Sequence, residues 1–145
     1  MAEELIIIPV FTIGIILGLY ELILVHRDEN FRGSHWLGHG LHAITTMIIG
    51  LFIVMNTEYF LNVTNLINSG IPLISNILVV QIAVGLIINI KMHATSAVVH
   101  GGGLAARGMA EHWTHTTIIT VLVILSPYVW PYLAPMVPAY LGGLA

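Results

Sequence analysis

The chain has 145 residues, of which 57% are hydrophobic and only 8% are charged, and its net charge at pH 7 is −3. A soluble domain averages about 25% charged residues, so this composition argues against a water-exposed surface and favours a membrane protein. The small negative charge argues against a nucleic-acid partner. The absence of cysteine excludes disulfides, thiolate metal sites and iron–sulfur clusters ligated by this chain.

Four apolar runs are long enough to cross a bilayer as helices, because a hydrocarbon core of about 30 Å needs roughly 20 apolar residues. The first run contains Thr12 and Glu21 and follows an acidic start, which is not typical of a cleaved signal sequence. The second ends near Asn56 and Glu58, and the fourth contains Pro127, which a membrane helix tolerates when neighbouring groups satisfy the freed carbonyl. The spans are predicted at about 5–25, 41–61, 73–92 and 114–133.

These spans predict an all-α, polytopic membrane protein in which four transmembrane helices form one bundle, as a single domain over residues 1–145. Polar residues within the spans are few, and we expect Gln81 and Asn56 to make hydrogen bonds between helices. The expected partners are the lipid bilayer and other membrane subunits.

All four basic residues fall on one side of the predicted bundle. Arg27 and Arg32 lie between the first and second spans, and Lys91 and Arg107 lie at or after the end of the third. The positive-inside rule makes this side cytoplasmic. We therefore expect a multi-pass protein of the cell membrane with both termini outside and cytoplasmic connections between spans one and two and between spans three and four.

The eight histidines, twice the number of Lys and Arg residues, are expected in or near these cytoplasmic connections. Imidazole binds metals and haem, and it carries protons near neutral pH. A group of histidines at one membrane face is therefore the main chemical signal in the sequence. They are His26, His35, His39, His42, His93, His100, His112 and His115.

The two halves of the chain resemble each other in these connections. In the first half, His26 is followed by the pair His39 and His42 at the start of the second span. In the second half, His100 is followed by the equally spaced pair His112 and His115 at the start of the fourth span. Each connection also contains an Arg-Gly dipeptide. The similarity predicts two pseudo-symmetric helical hairpins related by an axis along the membrane normal. A second register instead aligns His35-Trp36 with His112-Trp113, and chance similarity between two short histidine-rich loops is the alternative interpretation.

A histidine-rich site without thiolates suits a transition metal such as Cu, Fe or Zn. A b-type haem is the alternative cofactor, and His42 and His115 are then the predicted axial ligands. The competing interpretation is that the histidines are interfacial and bond to loop carbonyls. The predicted metal ligands are His39, His42, His112 and His115, with Glu111, His26 and His100 as additional ligands or hydrogen-bond partners.

Several glycines in or near the spans allow two interpretations. They permit a porphyrin to approach a helix backbone, or they permit two helices to pack closely. The glycines are Gly14, Gly18, Gly38, Gly40, Gly50 and Gly85.

These features predict a small integral-membrane subunit of a larger membrane-bound redox or oxygenase-type complex, carrying or framing a histidine-rich metal or haem site near the cytoplasmic face. Two alternatives stay open. One is a structural accessory subunit without a cofactor. The other is a small metal-ion or proton transporter, for which Glu21 is the ionisable residue within a span. No nucleophilic triad, phosphate loop or dinucleotide fingerprint is present, so the sequence does not predict that the isolated chain is an enzyme.

Overall fold

The structure is a computed structural model that describes residues 4–27, 36–98 and 113–144, with only the backbone described at 25–27, 36–40, 43 and 94–98. All regular secondary structure in these residues is helical, which confirms the predicted all-α class. The helices are α1 (Ile8–Arg27), α2 (Trp36–Met55), α3 (Thr57–Val63), α4 (Pro72–Ser75), α5 (Ile77–Val98) and α6 (Trp113–Leu133). Short 3₁₀ segments occur at Leu66–Asn68, Ala134–Met136 and Ala139–Leu141.

The long helices α1, α2, α5 and α6 form a bundle in which α2 packs against the other three and α6 also contacts α1 and α5. Their interior is filled by a continuous group of buried apolar side chains, which excludes water from the helix contacts. The group consists of Val10, Leu17, Met47, Leu51, Val54, Met55, Ile88, Met92, Ile119 and Val123.

Helices α1 and α2 approach each other closely through two glycines one turn apart. A Cβ atom added to Gly14 would lie 3.0 Å from Cγ1 of Ile48, and one added to Gly18 would lie 3.2 Å from Cγ1 of Ile44. Because the later glycine faces the earlier isoleucine, the two helices run antiparallel. Small residues spaced by four let helix backbones approach in this way, so these glycines serve helix packing.

Helices α5 and α6 are joined by two polar pairs two turns apart. The hydroxyl of Tyr128 donates to Oε1 of Gln81 at 2.6 Å. Nearer the other end, Nδ2 of Asn89 donates to Oγ1 of Thr120 at 3.0 Å. Each step forward along α5 is matched by an equal step back along α6, so these helices are also antiparallel.

Two more glycines serve close helix contacts. Gly85 lies midway between the polar pairs of α5, and a Cβ atom there would lie 2.6 Å from Cγ1 of Ile124 in α6. A Cβ atom on Gly50 of α2 would lie 2.9 Å from Cγ1 of Ile88 in α5. At each described position, the space beside the glycine is filled by an isoleucine of the neighbouring helix. Gly38 and Gly40 lie where only the backbone is described.

The distribution of polarity differs from that in a water-soluble bundle, because the surface is rich in apolar side chains and several polar side chains lie inside. Large apolar side chains are exposed along every long helix, with Ile16 61% exposed on α1 and Ile87 65% exposed on α5. In contrast, the carboxyl-bearing residue Glu21 is 0% exposed. Further polar side chains lie in the interior, namely Thr46, Asn56, Thr57, Gln81, Asn89, Thr116, Thr120 and Ser126.

By length and composition, one helical segment among the described residues can cross a membrane, Trp113–Met136, which has 24 residues and a mean hydropathy of 1.7. A second qualifies if Ile44–Met55 and Thr57–Val63, which meet at 63°, form one bent span. The apolar parts of the other long helices, Ile8–Leu24 and Ile77–His93, are shorter. The helical class is therefore confirmed, whereas four full-length spans are not.

The second predicted span, at about 41–61, is broken at Asn56, and this buried side chain accounts for the break. Its Oδ1 accepts the backbone N–H of Ile6 at 2.6 Å, and its Nδ2 donates to the carbonyls of Ile6 at 3.0 Å and of Phe52 at 2.8 Å. The side-chain amide thus pairs with the segment before α1 and with the last turn of α2. The hydrogen bonds expected between Asn56 and another helix are thus made instead to the segment just before α1.

The third predicted span, at about 73–92, is not one straight helix from its first residue. The short helix α4 ends at Ser75, and Asn76 is extended, with φ −92° and ψ 116°. Oδ1 of Asn76 then accepts the N–H of Val79 at 3.2 Å, which satisfies one of the free donors at the start of α5. This N-cap hydrogen bond fixes the start of α5 within an otherwise continuous run of apolar residues.

Pro127 lies within α6, as the fourth predicted span requires. A proline removes the hydrogen bond to the carbonyl four residues earlier, which here belongs to Val123. Oγ of Ser126 donates to this carbonyl at 2.7 Å. The neighbouring hydroxyl thus satisfies the carbonyl that the proline frees, as expected for a membrane helix.

We predict that Gly85→Ala destabilises the bundle by about 1–3 kcal/mol, because the added methyl group collides with Ile124 in a packed contact. The double variant Gly85→Ala/Ile124→Ala should lose less stability than the two single variants added together, since the second change removes the colliding atoms. Unfolding of the four proteins in mixed detergent micelles measures this coupling. Strict additivity would contradict the packing described here.

Candidate functional site

The antiparallel pairing brings four helix termini to one end of the bundle. Helices α1 and α5 end there, and α2 and α6 begin there, because α1 pairs with α2, α2 with α5, and α5 with α6. We call this the histidine end. Among the described residues, His26 lies in the last turn of α1 and His115 in the first turn of α6, so this end collects the helices that carry the predicted ligands.

The predicted ligands differ in how far the structure describes them. His42 is exposed on α2, whereas His115 is partly buried on α6. His26 and His39 lie in α1 and α2, where only the backbone is described. His100, Glu111 and His112 lie outside the described residues, as does His35. The proposed haem pair and the larger metal set therefore stay predictions.

Within residues 4–27, 36–98 and 113–144, no group of three or more His, Cys, Asp or Glu side chains is close enough to hold a metal ion. The predicted four-histidine set depends on His112 and on the side chain of His39, both beyond this description. The predicted metal centre is therefore not tested by the described side chains alone.

His93 and Trp113 form an aromatic stack that sequence reasoning missed. Their ring centroids are 3.9 Å apart and their planes differ by 26°. Nδ1 of His93 is buried and has no hydrogen-bond partner among the described residues, while Trp113 is 55% exposed. The stack joins the C-terminal part of α5 to the first residue of α6. His93 thus packs between two helices of the bundle, and it is not one of the predicted ligands.

Glu21 is fully buried in the half of α1 that is nearer the histidine end. It lies one turn beyond Gly18, whose partner in α2 is Ile44. Thr116, in the first turn of α6, is also 0% exposed. An ionisable residue enclosed by helices is a functional-site candidate. The sequence indicated Glu21 as an ionisable residue within a predicted span, and the structure places it in the interior.

The interior does not form a continuous polar path along the described bundle. The polar pair of Asn89 and Thr120 is separated from that of Gln81 and Tyr128 by two turns of helix. Between these levels α6 contributes Val123, which is 0% exposed, and Ser126, whose hydroxyl donates to the carbonyl of Val123 in its own helix. The two polar pairs are therefore separate, with the packed side chain of Val123 between them.

Gln81 links three helices near the opposite end. While its Oε1 accepts the hydroxyl of Tyr128 from α6, its Nε2 donates to the carbonyl of Val54 in α2 at 3.1 Å. The interhelical role expected of Gln81 is thereby confirmed. The donor and the acceptor of this side chain are both engaged in hydrogen bonds between helices. Gln81 therefore serves helix packing and is not a candidate ligand or catalytic group.

Comparison with known proteins gives no assignment, because no family model, no curated protein and no solved structure matches this chain.

We predict that Asn89→Leu and Thr120→Val are coupled by about 0.6 kcal/mol, the average for side-chain hydrogen bonds between membrane helices. Each single variant leaves one buried polar group without its partner, whereas the double variant removes both groups. Unfolding measurements on the two single variants and the double variant give the coupling. A matched cycle at exposed Thr45 and Leu86, which share no hydrogen bond here, should give no coupling.

Proposed function

We propose that this chain is a small integral-membrane subunit of a larger membrane-bound redox or oxygenase-type complex. Its histidine end faces the cytoplasm and carries or frames a metal or haem site. Both termini lie outside, and the lipid bilayer and other membrane subunits cover its apolar surface.

The observation that carries the membrane proposal is the apolar surface of the bundle, together with the polar side chains buried inside it. Water would be in contact with Ile16 and Ile87, each more than 60% exposed, at a cost of about 25 cal/mol for each Å² of apolar surface. In a bilayer that cost disappears. The buried residues Gln81 and Asn89 instead bond across helices, as polar side chains do where lipid offers them no partner.

The proposed cofactor site is supported by the convergence of four helix ends. The first repeated histidine set lies in the last turn of α1 and the first two turns of α2, and the second set includes His115 in the first turn of α6. The partly buried position of His115 suits a ligand at the edge of the bundle. Pseudo-symmetric hairpins would bring the two sets together across the bundle axis, which is the arrangement that a metal or haem requires.

Transport by the chain alone has weaker support. A proton or metal path needs polar groups that connect both faces of the membrane. Here the buried Glu21 lies in one half, and packed apolar residues such as Leu51 and Val123 separate it from the polar groups of the other half. A structural accessory subunit is the outcome that remains if no cofactor is found.

The absence of cysteine makes the topology testable with single introduced cysteines. Asn68→Cys, in the exposed connection opposite the histidine end, should react with a membrane-impermeant maleimide in intact cells. Thr114→Cys, at the exposed start of α6, should react only after the membrane is permeabilised. The cysteine-free parent is the control. The reverse pattern would overturn the orientation, and release of the protein by alkaline washing would overturn membrane embedding.

Cofactor content is tested on the purified native assembly. We expect stoichiometric Cu, Fe or Zn by elemental analysis, or a haem absorption band, and we expect His115→Ala to lose most of it. His93→Ala serves as the control, because His93 stacks on Trp113 and lies outside the predicted ligand set. If the intact complex contains neither metal nor haem, the cofactor part of the proposal is wrong.

A further inference from the structure

The segment after α6 forms a closed loop, residues 134–144, which we call the C-terminal loop. The N–H of Leu144 donates to the carbonyl of Ala134 at 2.7 Å, so the two ends of the loop meet. Inside it, Val137 N–H also donates to Ala134, and Gly143 N–H donates to Pro138 at 3.2 Å. Much of the backbone is therefore hydrogen-bonded without secondary structure longer than a single turn.

The C-terminal loop is fixed against the start of α1. Oγ1 of Thr12 donates to the carbonyl of Leu141 at 2.8 Å. Gly142 has a φ of +83°, and a Cβ atom there would lie 2.7 Å from Cδ of Pro9. The loop is thus seated on the bundle at the end opposite the histidines.

Side chains of this region are the most exposed large apolar groups of the described chain. Tyr132 is 81% exposed, Met136 80%, Tyr140 79% and Leu144 78%. Residues 113–144 contain no Asp, Glu, Lys or Arg. A loop that is folded and docked, yet turns its largest apolar side chains outward, is suited to an apolar environment on its outer side.

We propose that the C-terminal loop is an interfacial anchor that inserts Met136, Tyr140 and Leu144 into the boundary between headgroups and acyl chains of the outer leaflet. This inference rests on the proposed membrane location. It specifies which region of the bilayer the C-terminal loop contacts. Tyrosine suits this boundary because its ring is apolar and its hydroxyl reaches water or headgroups.

The bilayer fits this surface better than a soluble protein partner does. The loop continues directly from α6, whose residues Val129 and Leu133 are themselves exposed. Its backbone hydrogen bonds are made internally and with Thr12, so it does not offer the free edge that a strand partner pairs with. The loop has no charged side chain that could select a protein partner. Irregular backbone near lipid requires its N–H and C=O groups to be hydrogen-bonded internally, as they are here.

The test places an environment-sensitive fluorophore on single cysteines of the full chain in phosphatidylcholine liposomes. At Tyr140→Cys we expect quenching by a nitroxide near the lipid headgroup and at least twofold weaker quenching by iodide than at Asn68→Cys. Ile15→Cys, on the exposed apolar face of α1, is the reference for the bundle and should be quenched by a nitroxide deep in the acyl chain.

The outcomes separate this inference from the membrane proposal. If iodide quenches Tyr140→Cys as strongly as Asn68→Cys while Ile15→Cys responds to the deep nitroxide, the anchor is wrong and the membrane location stands. If Ile15→Cys is itself open to iodide, the membrane location fails. Protection of Tyr140→Cys in native membranes but not in liposomes would assign the loop to a protein partner and overturn the lipid contact.

A second pair of variants tests the inserting side chains. Met136→Ser/Leu144→Ser in the Tyr140→Cys background should raise iodide quenching at least twofold. The matched control is Val63→Ser/Leu73→Ser, which changes two apolar residues, each 68% exposed, in the other connection at the same end. This control should leave the signal unchanged. Continued protection after the first pair of changes would overturn the anchor.

Discussion

The whole arrangement depends on the close approach of antiparallel helices at glycines that face isoleucines. Gly14 and Gly18 admit the side chains of α2, and Gly85 admits Ile124 of α6. Because helix residues four apart share a face, each such contact fixes the register of a helix pair along its length. The polar pair of Asn89 and Thr120 follows one turn after the Gly85 contact. Packing and hydrogen bonding therefore specify the same alignment.

This register has a chemical consequence at the histidine end. Two helices end and two begin at one level, so side chains distant in sequence become neighbours. The stack of His93 on Trp113 is one result. The same end has a buried carboxyl residue, Glu21, one turn beyond the Gly18 contact. A histidine-rich centre proposed there would thus lie against a tightly packed interior rather than on a loose surface.

Local sequence signals predicted much of the fold, because they depend on composition and on neighbouring residues. The helical class, the interhelical role of Gln81 and a tolerated Pro127 all follow from such signals. The break after Met55 did not, since it depends on Asn56 pairing with Ile6, a residue in another segment. The His93 stack likewise depends on the α5–α6 register, which no pattern within either helix encodes. Of the candidate site, sequence identified the residue types but not which side chains meet.

Two contacts at the end opposite the histidines imply an order of assembly. The bond between Asn56 and Ile6 spans 50 residues, so the first hairpin can close as soon as α2 has been made. The bond from Thr12 to Leu141 spans 129 residues, so it forms only after α6 and the C-terminal loop have been made. The start of α1 is thus held by two contacts that become possible at different times, the first within its own hairpin and the second from the C-terminal loop. A variant that lacks residues 134–144 would retain the first contact and lose the second, so a late-made segment stabilises the earliest-made helix.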